Sequence, residues 1–359
     1  MLTHYIELID FANEAFSRDQ KADFISIQPK IYKHLDDYYV HHYVRKKDGI
    51  ISGIIGMYPV SFNDVKALSL GTICVHQQYR NQGIMQQMFK DITSKFRQYD
   101  LIFLNGDKHL YEQYGFYKSS RYYKFRFKSN IAKFNVFEHI NISLYTHDET
   151  KRTMKLHADY TFYSDGPKRS KKHYFDILKT NRFDIYLIED EGYIVYNSKK
   201  KTIMEIIADP QRIKDVLCSF VQILSLDEVY YEVSMKSPHV PMLHELSEDS
   251  STHTLMNIRI SNYVHLISKM LTNKKNIIPG TLIIKIESKM TLKIEVENQV
   301  IVKEIISDDY DLLLTEKEIT SLLFDDYGLI RDENTDIKEI LKSWFPFHLP
   351  VTLHSIDGI

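Results

Sequence analysis

Arg80 and Gly83 stand in a short polar turn, Arg80-Asn81-Gln82-Gly83, between an apolar segment ending at Val75 and an apolar-periodic one that begins at Ile84 and Met85. A strand that feeds such a turn and then a helix presents unpaired backbone N–H groups at the positive end of the helix. A glycine there lets the backbone approach an anion with no Cβ in the way. A diphosphate suits the place, and Arg80 adds a permanent positive charge. The turn is neither a Walker A loop, which needs Gly-Lys-Ser/Thr, nor a dinucleotide fingerprint, which needs three glycines. On spacing alone, a strand-to-helix turn with one glycine is the simpler reading.

Other reactive residue types carry less. Cys74 lies inside an apolar segment with no base beside it, so packing is expected of it, not nucleophilic attack. His41, His42, His76 and His109 lack metal-ligand spacing, and Asp308, Asp309 and Asp311 lack the glycine and terminal glutamate of a calcium loop. No metal is expected. The basic run "PKRSKKH" at 167–173 reads as an exposed loop that could touch an anionic cofactor. Tyr111 is one of 25 tyrosines and says nothing by itself.

Taken together, two segments resemble a known family. "ICVHQQYRNQGIMQQMF" is similar to the cofactor motif of the GCN5-related N-acetyltransferases (GNAT), Gln/Arg-x-x-Gly-x-Gly/Ala after a strand, with Arg80, Gly83 and Met85 at the marked positions. Met85 stands where a small residue is usual. Downstream, "LNGDKHLYEQYGF" resembles the element in which a tyrosine precedes a Gly-Phe pair. The order of "IDFANEAFS", "QPKIY", "GTICVHQQYRNQGIM" and "LNGDKHLYEQYGF", with the ending "WFPFHLPVTLHSIDGI", resembles the enhanced intracellular survival (Eis) type.

That resemblance implies a mixed α/β (α+β) architecture of tandem GNAT folds followed by a sterol-carrier-protein-like domain. The parts expected are a catalytic domain at 1–130, a second GNAT-like domain without the phosphate turn at 131–275, and the third domain at 276–359. It further implies acetyl-CoA as co-substrate. Its pyrophosphate would lie on Arg80, Asn81, Gln82, Gly83, Ile84 and Met85, and its pantetheine arm along Ile73, Cys74 and Val75. A substrate amine would attack the thioester directly, Tyr111 would protonate the leaving thiolate, and the carboxylate of Ile359 would orient the amine. A phenol of pKa ~10 matches a thiol for proton transfer, whereas an α-carboxyl of pKa ~3.5 is a weak base. Ile359 replaces the family's aromatic end and removes a packing anchor. Trimers or hexamers are the assemblies the resemblance implies.

The elements that must position these residues are legible in part. Residues 4–17 and "PKIYKHLDDYY" read as helical, and residues 41–75 break at Asp48-Gly49 and Asn63-Asp64 into three antiparallel strands. Ile84, Met85, Met88, Phe89, Ile92 and Phe96 keep helical spacing, and "LIFL" at 101–104 is a strand covered on both faces. The same grammar returns in "TIMEIIA", the Asp209-Pro210 turn, a helix with Ile213, Val216, Leu217, Phe220 and Leu224 on one side, and "EVYYEVS". No glycine stands in that second turn, so it reads as a non-catalytic copy. After residue 276 come short alternating strands, the helix candidate "TEKEITSLLF", and a tail made extended by Pro346 and Pro350.

The 359 residues exceed what one core serves. Hydrophobic content of 43% and charged content of 26% are those of a globular protein. The 46 basic and 48 acidic residues nearly cancel, so no nucleic-acid partner is expected. No segment reads as a signal peptide or a membrane span, and two cysteines in apolar segments suggest a reducing, cytoplasmic setting. Two rival classes stay open: a non-catalytic protein that binds an acyl-CoA or an apolar ligand, and an aminoacyl-tRNA-dependent peptide-bond-forming transferase. The acceptor amine, whether a small cation, an aminosugar or a lysine side chain, has no motif.

Overall fold

The structure, a computed structural model, describes residues 2–17, 21–34, 38–106, 109–133, 140–189, 191–325 and 335–359. Residues 35–37 of the expected helix "PKIYKHLDDYY", residues 107–108 of "LNGDKHLYEQYGF" and the side chain of His109 lie outside the described residues. Of that helix, the described parts are the short turns Pro29–Tyr32 and Tyr38–Val40.

Three strands open the first unit: β1 (His42–Lys47), β2 (Ile50–Phe62) and β3 (Val65–Val75), paired antiparallel in chain order. Both hairpins turn on a pair of positive-φ residues, Asp48-Gly49 (52° and 82°) and Asn63-Asp64 (46° and 60°). Such pairs match the twist of the flanking strands. The helix Ile84–Lys95 follows, then β4 (Leu101–Leu104), which pairs parallel to β3. Ile84, Met88, Phe89 and Ile92 are buried against Ile55, Met57, Leu68 and Leu70 of the sheet, each contributing roughly 1.5–3 kcal/mol by leaving water. On the other face, Leu8, Ile9 and Ala12 of the helix Leu2–Phe16 pack on Ile51, Ile54 and Cys74.

After β5 (Tyr117–Lys128) the second unit repeats the pattern: β6 (Ile142–Tyr145), β7 (Asp184–Ile188), β8 (Tyr193–Asn197), β9 (Thr202–Ile207), the helix Ile213–Ile223, β10 (Glu228–Ser234) and β11 (Asp249–Ile260). β9 and β10 are parallel, as β3 and β4 are. The units are joined by strand exchange. β11, which follows the second helix unit, lies between β4 and β5 of the first, and β5 pairs with β10. One 11-stranded sheet results, ordered β1-β2-β3-β4-β11-β5-β10-β9-β8-β7-β6.

A separate four-stranded sheet contains β12 (Gly280–Ile286), β13 (Met290–Val296), β14 (Val300–Ile305) and β15 (Leu312–Leu314), ordered β14-β13-β12-β15. The helix Glu316–Phe324 starts on a Thr315/Glu318 capping box and the helix Thr335–Trp344 follows. Their apolar residues share a core with the helix Tyr263–Thr272, β2, β3 and β4. Of the tail expected to be extended, residues 345–350 lie in neither helix nor strand, while Leu341–Trp344 ends a helix and Val351–His354 form a 3-10 turn.

Candidate active site

β3 carries one extra residue where it faces β2: Ile54 opposes Cys74 and Gly56 opposes Gly71, so Thr72 and Ile73 together face Ile55. Thr72 takes φ 46° at this bulge. β4 runs out at the same height, its last pairing being Leu70 with Leu104. Among the described strands, residues 71–75 of β3 therefore have no neighbour on that side, and their outward N–H and C=O groups can pair with a ligand.

The turn beyond β3 supplies the rest of the cleft. His76 caps a 3-10 turn, Gln77–Tyr79, by accepting the amide of Gln78. Gly83 then caps the helix Ile84–Lys95 at φ 72°, and a Cβ added to it would meet nothing within 4 Å. Arg80 is exposed and its Nε donates to Val75 O at 3.4 Å, which leaves the ends of the guanidinium for an anion. A cleft of about 650 Å³ is lined by Ile73, Cys74, Val75, Arg80, Asn81, Gly83, Ile84 and Met85, together with Phe16 and Tyr114. Eight of the nine residues expected to hold the cofactor thus share one cavity. The ninth, Gln82, is turned to Gln78 O and to Lys47 Nζ.

The duplicate turn is chemically different. Asp209, in the place His76 holds in the first turn, accepts the amide of Gln211, and Arg212, which caps the helix Ile213–Ile223 where Gly83 caps Ile84–Lys95, donates to Glu191 at 2.7 Å. The gap beyond the β9–β10 pairing is lined by Met204–Ile207, Glu232 and, from the chain's end, His348–Thr352.

Tyr111 is buried against Gly106, whose carbonyl accepts from Asn257 of β11, and it meets Phe89 edge-on at 6.0 Å. Burial raises its phenol above the ordinary value. Tyr114, stacked on Phe89 at 4.4 Å, lines the cleft, as does Tyr79, and Tyr111 is not among the lining residues. Cys74 is packed, as expected, and burial pushes its thiol up to about 12.

Ile359 comes to β3 from the far end of the chain. Its amide donates to Ser69 Oγ at 3.0 Å, and its side chain packs on the first-unit core. The expectation of an exposed loop at 167–173 holds for Lys168, Lys171 and Lys172 and is corrected at Arg169. Arg169 is buried, its side chain 1% exposed, because it is enclosed by two carboxylates: Glu205 (2.8 Å twice) and Asp357 (2.8 and 3.0 Å). A basic run gives no sign of which member meets an acid distant in sequence. Lys30 was missed for the same reason.

One set of side chains among the described residues has metal-donor types, His34, His173 and Asp176, with their donor atoms within 4.8 Å of one another. Both Asp176 oxygens already have partners at 2.8 Å, Lys33 Nζ and His34 Nε2. The group is satisfied as an ion pair joining the two units. Among the described residues no helix is long and apolar enough to cross a membrane.

The bulged strand, the glycine turn and the open β3 edge all lie in residues 38–118, which match the acetyltransferase (GNAT) domain. The chain carries that domain, on a mixed α/β fold. Over nearly its whole length the fold is shared with solved structures: a GCN5-related N-acetyltransferase from Kribbella flavida (TM-score 0.71, 13% identity, 97% of each chain) and a probable N-acyltransferase from Enterococcus faecalis V583 (0.72, 14%, 97% of this chain and 96% of that one). Eis1 from Mycobacterium abscessus shares the fold too (0.61, 11%, 87% and 90%). No curated protein matches the sequence.

Proposed function

We propose that the protein is an acetyl-CoA-dependent N-acetyltransferase that moves the acetyl group directly onto a primary amine. One observation carries the reading: the cleft of about 650 Å³ that gathers Ile73–Val75 with Arg80, Asn81 and Gly83–Met85. Acetyl-CoA supplies the activated thioester and a diphosphate. The residues do the rest. The open amides of the helix Ile84–Lys95 and Arg80 bind the diphosphate, and the β3 edge aligns the pantetheine amides beside the bulge.

The acceptor nitrogen forms its bond to the acetyl carbon as the carbon–sulfur bond breaks. Tyr111 gives its phenolic proton to the departing sulfur, and the proton lost by the amine passes to water beside the Ile359 carboxylate. Tyr111 holds this role by its place in the Leu-Tyr-Glu-x-x-Gly-Phe segment; its burial keeps it protonated, as an acid must be. We read the chain as a cofactor-binding unit (1–130), a silent copy (131–275) and a third, sterol-carrier-like domain (276–359). The glycine-free second turn and the separate four-stranded sheet support that division.

Thiol release from acetyl-CoA, followed against a panel of polyamines, aminoglycosides and lysine peptides, tests the reading. Amine-dependent release is expected for at least one class. Acetyl-CoA binding with no release by any amine would transfer the reading to a cofactor-binding sensor.

A further inference from the structure

The last residues of the chain are held by two buried cations from distant parts of the sequence. Lys30, 3% exposed, lies in the short turn Pro29–Tyr32; its Nζ donates to the carbonyls of Ile356 and Gly358, each at 2.6 Å, and sits 4.7 Å over the Tyr58 ring. Arg169, from the second unit, takes the side chain of the residue between them, Asp357, through two hydrogen bonds, and its other edge is fixed by Glu205 and by Tyr193. Three consecutive residues, 356 to 358, are thus gripped from two sides, on backbone and side chain alternately.

The position of residue 359 follows from that grip. Its amide reaches Ser69 Oγ, and its carbonyl carbon lies where only a glycine, Gly71, leaves room, beside the bulge in β3. Gly358 is equally confined, since a Cβ there would stand 2.0 Å from Leu353 O. Neither Lys30 nor Arg169 lines the cofactor cleft. Stability alone gives no reason for the Arg169 pairs: well-packed apolar residues in place of buried ion pairs are often as stable or more so. What a charged, bidentate contact adds is a fixed geometry.

We propose that Lys30 and Arg169 are positioning residues of the active site, which act through residues 356–358 to fix Ile359 on β3 next to the bulge. The inference rests on the acetyltransferase reading for what Ile359 does there. It makes the second unit, which lacks the phosphate turn, a structural part of the first unit's chemistry.

Two variants test it, Lys30→Met and Asp357→Asn, the second keeping the shape of the side chain should the first fail to fold. Hydrogen–deuterium exchange in the peptide covering 353–359, which needs no substrate, is expected to rise at least tenfold in each, with exchange in β9 and the helix Ile84–Lys95 unchanged. In the same variants kcat is expected to fall at least tenfold while KM for acetyl-CoA stays within twofold. Exchange as slow as in the native protein overturns the proposal, and so does a loosened tail with unchanged kcat. A native protein that loosens on mutation as expected but never transfers acetyl to any amine overturns the acetyltransferase reading instead.

Discussion

A Cβ placed on Gly71 would stand 2.5 Å from the carbonyl carbon of Ile359, so the middle of β3 and the end of the chain occupy adjoining space that admits no side chain. The contact joins residues from opposite ends of the sequence at the one point where β3 is bulged and loses its β4 neighbour.

Gly71→Ala should therefore act on activity more than on folding. The tail can move off by the width of a methyl group, whereas β3 keeps its pairing to β2. We expect kcat to fall at least tenfold and the thermal midpoint to change by no more than a few degrees. Native-like turnover in the variant would show that Ile359 has no part in the reaction.

Gly83 separates two effects that share one residue. At φ 72° a Cβ is strained, so Gly83→Ala should cost about 1 kcal/mol of stability in a denaturant titration. No other protein atom lies within 4 Å of that Cβ, so the alanine variant should still fold and keep the shape of the cleft. Gly83→Trp fills the cleft, and its acetyl-CoA affinity by calorimetry should drop at least tenfold. Equal binding by the tryptophan variant would place the cofactor elsewhere.

Tyr111 and Tyr114 flank the same phenylalanine and can be told apart by rate and pH. Loss of a general acid lowers turnover by roughly 10²–10⁴-fold, expected for Tyr111→Phe, against less than tenfold for Tyr114→Phe. Burial raises the Tyr111 phenol, so the acid form persists through neutral and mildly alkaline pH. The alkaline limb of kcat/KM that belongs to Tyr111 should then lie above pH ~10. The reverse order of the two variants would reassign the acid to Tyr114.

Lys30 makes stability depend on pH. Burial lowers its ammonium from 10.5 to about 7; Asp357 pulls it up and Arg169 pushes it further down. Between those values the unfolded chain binds a proton that the folded chain does not. Stability therefore rises with pH across that window and is lost again as pH falls through the folded value, with a slope of up to ~1.4 kcal/mol per pH unit. The neighbouring Tyr58 phenol is raised by burial, and its opposing effect begins only above its ordinary value. Urea denaturation at pH 7, 8 and 9 should show the slope in the native protein and a flatter one in Lys30→Met. Parallel slopes would mean that Lys30 does not titrate in this window.

Local chemistry was legible wherever a short segment sufficed to impose it. Asp48-Gly49 and Asn63-Asp64 made hairpins because such residues accept positive φ, the 84–96 spacing gave a helix with one apolar face, and Arg80, Asn81 and Gly83 line a cleft. The absence of a glycine from the second turn was equally plain, and Arg212 caps the helix there instead. What could not be read were contacts between segments far apart. β5 and β11 change partners between the units, and no pattern within either strand states its neighbour, because alternation fixes which face is buried and leaves open what lies alongside. Arg169 looked like one cation among several in a basic run, and nothing in the sequence singled out Lys30. By itself the sequence determined that a strand, a glycine turn and a helix follow one another up to Lys95 and that the similar run at 202–223 has no glycine in its turn. The tertiary structure decided that residues 356–359 close on β3 and which buried charges hold them there, since a charge leaves water only where folding brings it an opposite partner or enough acceptors.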